Sequence, residues 1–135
     1  MASAYELLLE SRAFFVATVS EDGPRIRPFG FVMERSGRLY FCTSKKKEIY
    51  SNLKYHPYVE ICALSKDFSR WVRIRGKVEF DDSQESKSEV FKRAPHLLKV
   101  YPKGALDENF VTFYLVDPKA LLFTIDGKIE EIQII

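Results

Sequence analysis

Residues 70–80 constrain this chain more than any other stretch, because apolar and polar residues alternate there without a break. Val72, Ile74, Gly76, Val78 and Phe80 fall on one side, and Trp71, Arg73, Arg75, Lys77 and Glu79 on the other. A period of two is the pattern of a strand with one buried face. Such a strand needs neighbours on both edges, and the rest of the chain supplies them. Residues 13–19 are β-branched and aromatic, Glu21-Asp22-Gly23-Pro24 makes a turn, and residues 25–33 alternate again. Ser36-Gly37 then turns the chain into residues 38–43, which predicts an antiparallel meander. Residues 58–64 form a further strand before a loop at 66–69. Residues 110–125 give strand material interrupted by Asp117-Pro118, and Asp126-Gly127 closes a hairpin onto residues 128–134.

Helical spacing is confined to short pieces. Tyr5, Leu8 and Leu9 place a helix over residues 3–12; Ile49 and Leu53 place another over 46–55, ended by Pro57. Asp82-x-x-Glu85 resembles a capping box for a helix reaching Ala94, where Pro95 stops it, and residues 96–109 are irregular or briefly helical. The expected fold is α+β, mainly β: one domain over residues 1–135, built as a six-stranded antiparallel barrel, closed or nearly so, with short peripheral helices. At 135 residues there is no room for a second independent core. A chain that is 46% hydrophobic and 30% charged is not a disordered one, and no apolar run approaches the ~20 residues of a membrane span. The N-terminal residues lack a basic, apolar leader pattern. Cys42 and Cys62 lie within strand patterns and read as reduced thiols of a cytoplasmic protein.

The net charge of +2 is nearly balanced, so the clustering of charge matters more than its sum. Thr43-Ser44-Lys45-Lys46-Lys47-Glu48 spans a predicted strand-to-helix junction, with Ser44 as N-cap. Three lysines in a first helical turn repel one another and oppose the helix dipole. A phosphate would resolve that conflict, held by helix-start amides, hydroxyls and ammonium groups. A solvated lysine patch is the other reading. In Arg25-Ile26-Arg27-Pro28-Phe29 the alternation places both guanidinium groups on one side with Phe29, suited to phosphate or to a planar ring. Pro28 removes an amide and predicts an edge strand. Trp71, Arg73, Arg75 and Lys77 form a basic stripe headed by one aromatic, which suits a subunit interface better than a nucleic-acid platform. His56 and His96 have no Cys, Asp or Glu at metal-ligand spacing, and no nucleophile–base arrangement occurs. Any chemistry then belongs to a bound cofactor. No catalytic residue is nominated; Tyr40, Tyr101 and Tyr114 are merely available hydroxyls.

Four motifs in order carry a family resemblance: Arg25-x-Arg27-Pro28-Phe29; Leu39-Tyr40-Phe41-Cys42-Thr43-Ser44-x-x-Lys47; Asn52-Leu53-x-x-His56-Pro57-x-Val59-Glu60; and Trp71-Val72-Arg73-Ile74-x-Gly76. Together they resemble the pyridoxamine 5′-phosphate oxidase-like FMN-binding split barrels, especially small members related to nitroimidazole reductases. The resemblance implies a homodimer holding FMN between subunits. It places Arg25, Ile26, Arg27, Pro28 and Phe29 along the flavin, Thr43, Ser44, Lys46 and Lys47 around its phosphate, and Cys42 among the cofactor-binding residues. Trp71 and Arg73 would lie near the cleft, and the implied activity is that of a flavin-dependent oxidoreductase of unknown substrate. Two departures speak against oxidation of pyridoxamine phosphate itself: Gly30 stands where those oxidases carry a lysine, and their C-terminal segment with tryptophan and arginine has no counterpart. Deazaflavin, haem through His56 or His96, and a nonenzymatic basic barrel for nucleic acid are the alternatives; nucleic acid and membrane are not expected partners.

Overall fold

A computed structural model describes residues 2–135. The elements run α1 (Ala4–Glu10), β1 (Phe14–Ser20), β2 (Gly23–Phe29), β3 (Met33–Arg35), β4 (Arg38–Ser44), α2 (Glu48–Tyr55), β5 (Tyr58–Leu64), β6 (Arg70–Asp81), α3 (Gln84–Arg93), β7 (Phe110–Thr124) and β8 (Ile129–Ile132). Single 3-10 turns at Pro95–Lys99 and Gly104–Leu106 occupy the segment expected to be irregular. All strands join one antiparallel sheet in the order β2-β1-β5-β6-β7-β4-β3, with β8 added to β7. The class is the expected α+β split barrel, but with eight strands among the described residues and not six. The extra count arises partly because residues 25–33 do not form one strand. The ladder with β1 ends at Phe29, and pairing resumes with β4 only at Met33.

The β6–β7 ribbon is the spine of the sheet. It pairs from Arg70↔Thr124 to Asp81↔Thr112, with a register shift between Arg75 and Lys77. Asp117-Pro118 therefore bends β7 without ending it. Asp117 takes a positive φ of 48°, and opposite it Gly76 leaves room for Pro118: a Cβ on Gly76 would sit 3.4 Å from Pro118 Cα. That bend lets one long strand serve β4 at its start and β8 at its end. The sheet curls until its edge strand β2, carrying Pro28 as expected, lays Phe29 against Phe41 and Phe113, with ring centroids 6.4 and 6.2 Å apart. The main core, including Phe14, Phe41, Ile61, Ile74 and Phe113, fills the interior so formed. A smaller cluster of Met33, Tyr40, Val90, Tyr101 and Phe110 seals α3 and the 3-10 turns against the outside of β4 and β7.

Two helix starts differ from expectation for electrostatic and capping reasons. α2 begins at Glu48, so Lys45, Lys46 and Lys47 lie in the preceding turn and the first helical turn carries an acid, as the dipole favours. Ser44 is the last residue of β4 and no helix cap; its hydroxyl accepts from the Lys46 amide at 3.2 Å. α3 is capped by Ser83 and not by Asp82, whose carboxylate instead pairs with the buried Lys87 at 3.4 Å. At α1, Ser3 and Glu6 form a reciprocal capping box that spacing alone did not disclose.

Candidate functional site

Arg27 is the best-anchored cation of the site. It projects from β2 toward the interior side, and its Nη1 donates to Thr18 Oγ1 at 2.7 Å while Nη2 reaches Asn52 Oδ1 at 3.3 Å. Thr18 in turn donates to the same Asn52 oxygen at 2.9 Å. Thr18 and Asn52 are both buried, so this triangle joins β1, β2 and α2 and fixes the guanidinium. Burial lowers the Arg27 pKa; Glu48 opposes the shift and Arg25 adds to it. Arginine nonetheless stays charged. Glu48 spans the two arginines, 3.6 Å from each.

Arg27 opens onto a cleft of about 490 Å³ at the barrel mouth, where β2, β4 and the start of α2 meet the first 3-10 turn. This volume falls within the usual range for small-molecule and cofactor sites. The cleft's lining combines polar groups, among them Arg12, Arg27, Thr43, Lys47 and Glu48, with the aromatic and aliphatic Phe29, Phe31, Leu97, Val100 and Tyr101. Thr43 lines the cleft, and among the described residues its hydroxyl makes no side-chain hydrogen bond. Cys42 also borders the cleft, where burial pushes its thiol up to about 12 despite the nearby Lys47. It is therefore a neutral thiol and no nucleophile at physiological pH.

The structure brings together Arg27, Pro28, Phe29, Cys42, Thr43 and Lys47 of the residues singled out in the sequence. Arg25 joins them at one remove, through Glu48. Ser44 is buried at the end of β4, and Lys46 is exposed in the turn beyond it, both outside the cleft lining. Ile26, Trp71 and Arg73 lie elsewhere. Ile26 is 69% exposed on the outer face of the sheet. Trp71 stacks on Phe123 at 5.5 Å, and Arg73 crosses that ring while pairing with Glu60 at 3.1 Å. Cross-strand pairing places Phe15, Cys62, Arg73 and Leu121 in one row of that outer face. His96 lines the cleft and His56 does not. Among the described residues no cluster of His, Cys, Asp or Glu gathers as a metal site, and no helix is long and apolar enough to cross a membrane. Sequence reasoning missed Thr18, Asn52 and Glu48. Asn52 sat within a quoted motif without a role, and Glu48 was the one acid following the lysine run.

Fold and cleft together define a class: a small split barrel with a cation-bearing cleft at its mouth. The chain belongs to the pyridoxamine 5′-phosphate oxidase family, whose model matches residues 2–124. It is similar to a NimC/NimA family protein from Clostridium acetobutylicum, with 32% identity and a TM-score of 0.88 over 96% of this chain and 88% of that one. It shares its fold with a general stress FMN/FAD binding protein from Xanthomonas citri (21% identity, TM-score 0.73, 92% and 87% covered). A haem storage protein from Vibrio cholerae also has this fold (18% identity, TM-score 0.66, 89% and 90% covered). No curated protein matches the chain.

Proposed function

We propose that the cleft binds flavin mononucleotide and that the protein is a flavin-dependent oxidoreductase. The observation that carries this reading is a single cleft lined by Arg27, Lys47 and Thr43, whose hydroxyl makes no side-chain hydrogen bond, together with the aromatic Phe29, Phe31 and Tyr101. A phosphate ester would take the hydroxyl and the two cations, and a planar ring would take Phe29, Phe31 and Tyr101. When bound, flavin supplies the electron and hydride chemistry; the chain's residues bind it, orient it and exclude water. A flavin-binding neighbour of the same fold supports the assignment. Gly30 borders the cleft with no side chain, so an anionic substrate finds no cation there, and pyridoxamine phosphate is not the proposed substrate.

The second copy of the chain is the proposed partner. Phe15, Val19, Ile26 and Leu64 leave 40–69% of their surface exposed on the outer sheet face, around Arg73 and Glu60. A face carrying both apolar residues and both charge signs is self-complementary about a two-fold axis. Such a dimer would also explain why Trp71 and Arg73 lie away from the cleft of their own chain. Free Cys42 and Cys62 fit a cytoplasmic setting. Haem is the second reading, favoured by His96 in the cleft wall. The visible spectrum of purified protein separates the two: flavin gives bands near the blue, haem a Soret band. FMN titration with fluorescence readout tests the first directly, and absence of saturable quenching refutes it.

A further inference from the structure

The carboxylate of Glu48 stands where an anionic ligand would bind. Its Oε2 lies 3.6 Å from Arg25 Nε and its Oε1 3.6 Å from Arg27 Nη2, and it is the one acid among the residues lining the cleft. We propose that Glu48 is a tethered competitor for the phosphate end of the cleft, and so sets how strongly the site prefers a phosphorylated over an unphosphorylated ligand. The inference rests on the phosphate-binding reading above.

Three features give Glu48 this role. The groups it bridges are held unequally. Arg27 is fixed by Thr18 and Asn52 with 21% of its side chain exposed, whereas the Glu48 side chain is 57% exposed and makes only these long ion pairs. A solvent-screened pair of that kind is weak, whereas a phosphoryl group in the same place would make shorter, charge-assisted bonds. Next, Glu48 is the first residue of α2, so it keeps a favourable position at the helix start after releasing the arginines. Finally, Arg25 and Arg27 share one face of β2, and Arg25 already bears electrostatically on Arg27. Without Glu48 the only acid left beside the pair among the described residues is the exposed Asp22, 3.5 Å from Arg25, and Arg27 has none. The same carboxylate therefore steadies the empty protein and opposes the filled one. A neutral ligand does not need the arginines, and its binding is indifferent to Glu48.

Glu48→Gln removes the charge and keeps the size; Glu48→Ala serves as a second variant of the same expected sign. Wild type and variants are titrated with FMN and riboflavin by fluorescence quenching, and with inorganic phosphate by thermal shift. FMN binding is expected to tighten about 3–10-fold in both variants, as for loss of a weak competing ion pair, with riboflavin within about twofold. The rise in Tm caused by phosphate is expected to grow. Equal weakening of FMN and riboflavin would mean that Glu48 contacts ligand hydroxyls, and the proposal fails. Unchanged FMN and phosphate binding also overturns it. If no protein binds either flavin while phosphate stabilises the variants more than wild type, the flavin assignment falls and the competitor stands. If no probe binds any variant, both fall.

Discussion

Arg27 is held by its neighbours, whereas Thr43 of β4 lines the cleft with a hydroxyl that makes no side-chain hydrogen bond, so Thr43→Val removes a donor and little else. FMN affinity is expected to fall by about 1.5–3 kcal/mol, the usual worth of a hydrogen bond to a charged group. Titration beside a denaturation curve checks this; equal affinity would remove Thr43 from the site. Asn52→Leu acts differently. It leaves the buried Thr18 hydroxyl without an acceptor for its proton and frees Arg27 Nη2, and unfolding stability should drop by about 1–3 kcal/mol in urea. Cys42 gives the pH dependence. Its folded pKa of about 12 lies above that of an unfolded thiol, about 8.5. Stability from keeping it neutral is full below pH ~8.5 and is lost as pH rises toward 12. Cys42→Ala should flatten that alkaline decline, and in the native wild type Cys42 should resist alkylation at pH 8. Arg27, Thr43 and Lys47 were legible in the sequence because alternation and a strand-to-helix junction are local patterns. Thr18 and Asn52 were not, since their bond joins residues 34 apart. Only the curled sheet brings them together.

Among elements, the β5–β6 hairpin depends most on one side chain. Asp67 Oδ1 accepts from the Ser65 and Ser69 hydroxyls and the Ser69 amide at 2.7–3.0 Å, which holds Phe68 at a positive φ of 60°. Those bonds, the Ser69 hydroxyl first, hold the Asp67 carboxyl down at about 2. A lowered folded pKa stabilises above the unfolded value near 3.9 and loses that effect as pH falls toward 2. Asp67→Asn should therefore be less stable than wild type at pH 6, with the gap closing by pH 2; a constant gap across that range would show that the carboxylate's charge is immaterial. Phe68→Gly relieves the left-handed backbone and is expected to unfold at the same urea concentration or higher. Strand existence was readable from period-two patterns, but their limits followed longer-range demands. β2 stops at Phe29 because the chain must cross from β1's edge to β4's, and β7 passes Asp117-Pro118 because Gly76 lies opposite. The lysine turn was read as helix although three lysines there oppose the dipole; with Glu48 as first helical residue that conflict is absent.

At the scale of the molecule, the outer sheet face leaves Phe15, Val19, Ile26 and Leu64 open to water. Phe15→Glu, in the row with Cys62 and Arg73, is expected to convert a dimer into a monomer by light scattering, and to weaken FMN binding if the cleft is completed across the interface. A monomeric wild type would refute the proposed assembly. The barrel also carries a less obvious connection. The first two amides of α1, those of Ala4 and Tyr5, donate to the carbonyls of Gln133 and Ile134 at 2.8 and 2.9 Å. The opening helix is thus tied to the segment after β8, and the backbone comes close to being a ring. A few glycines and serines would bridge residues 2 and 135, so the chain should tolerate circular permutation, with new ends cut into the exposed stretch between Lys66 and Phe68 at the expense of the Asp67 bonds there. Such a permutant would keep every strand pairing while reversing which half of the barrel leaves the ribosome first.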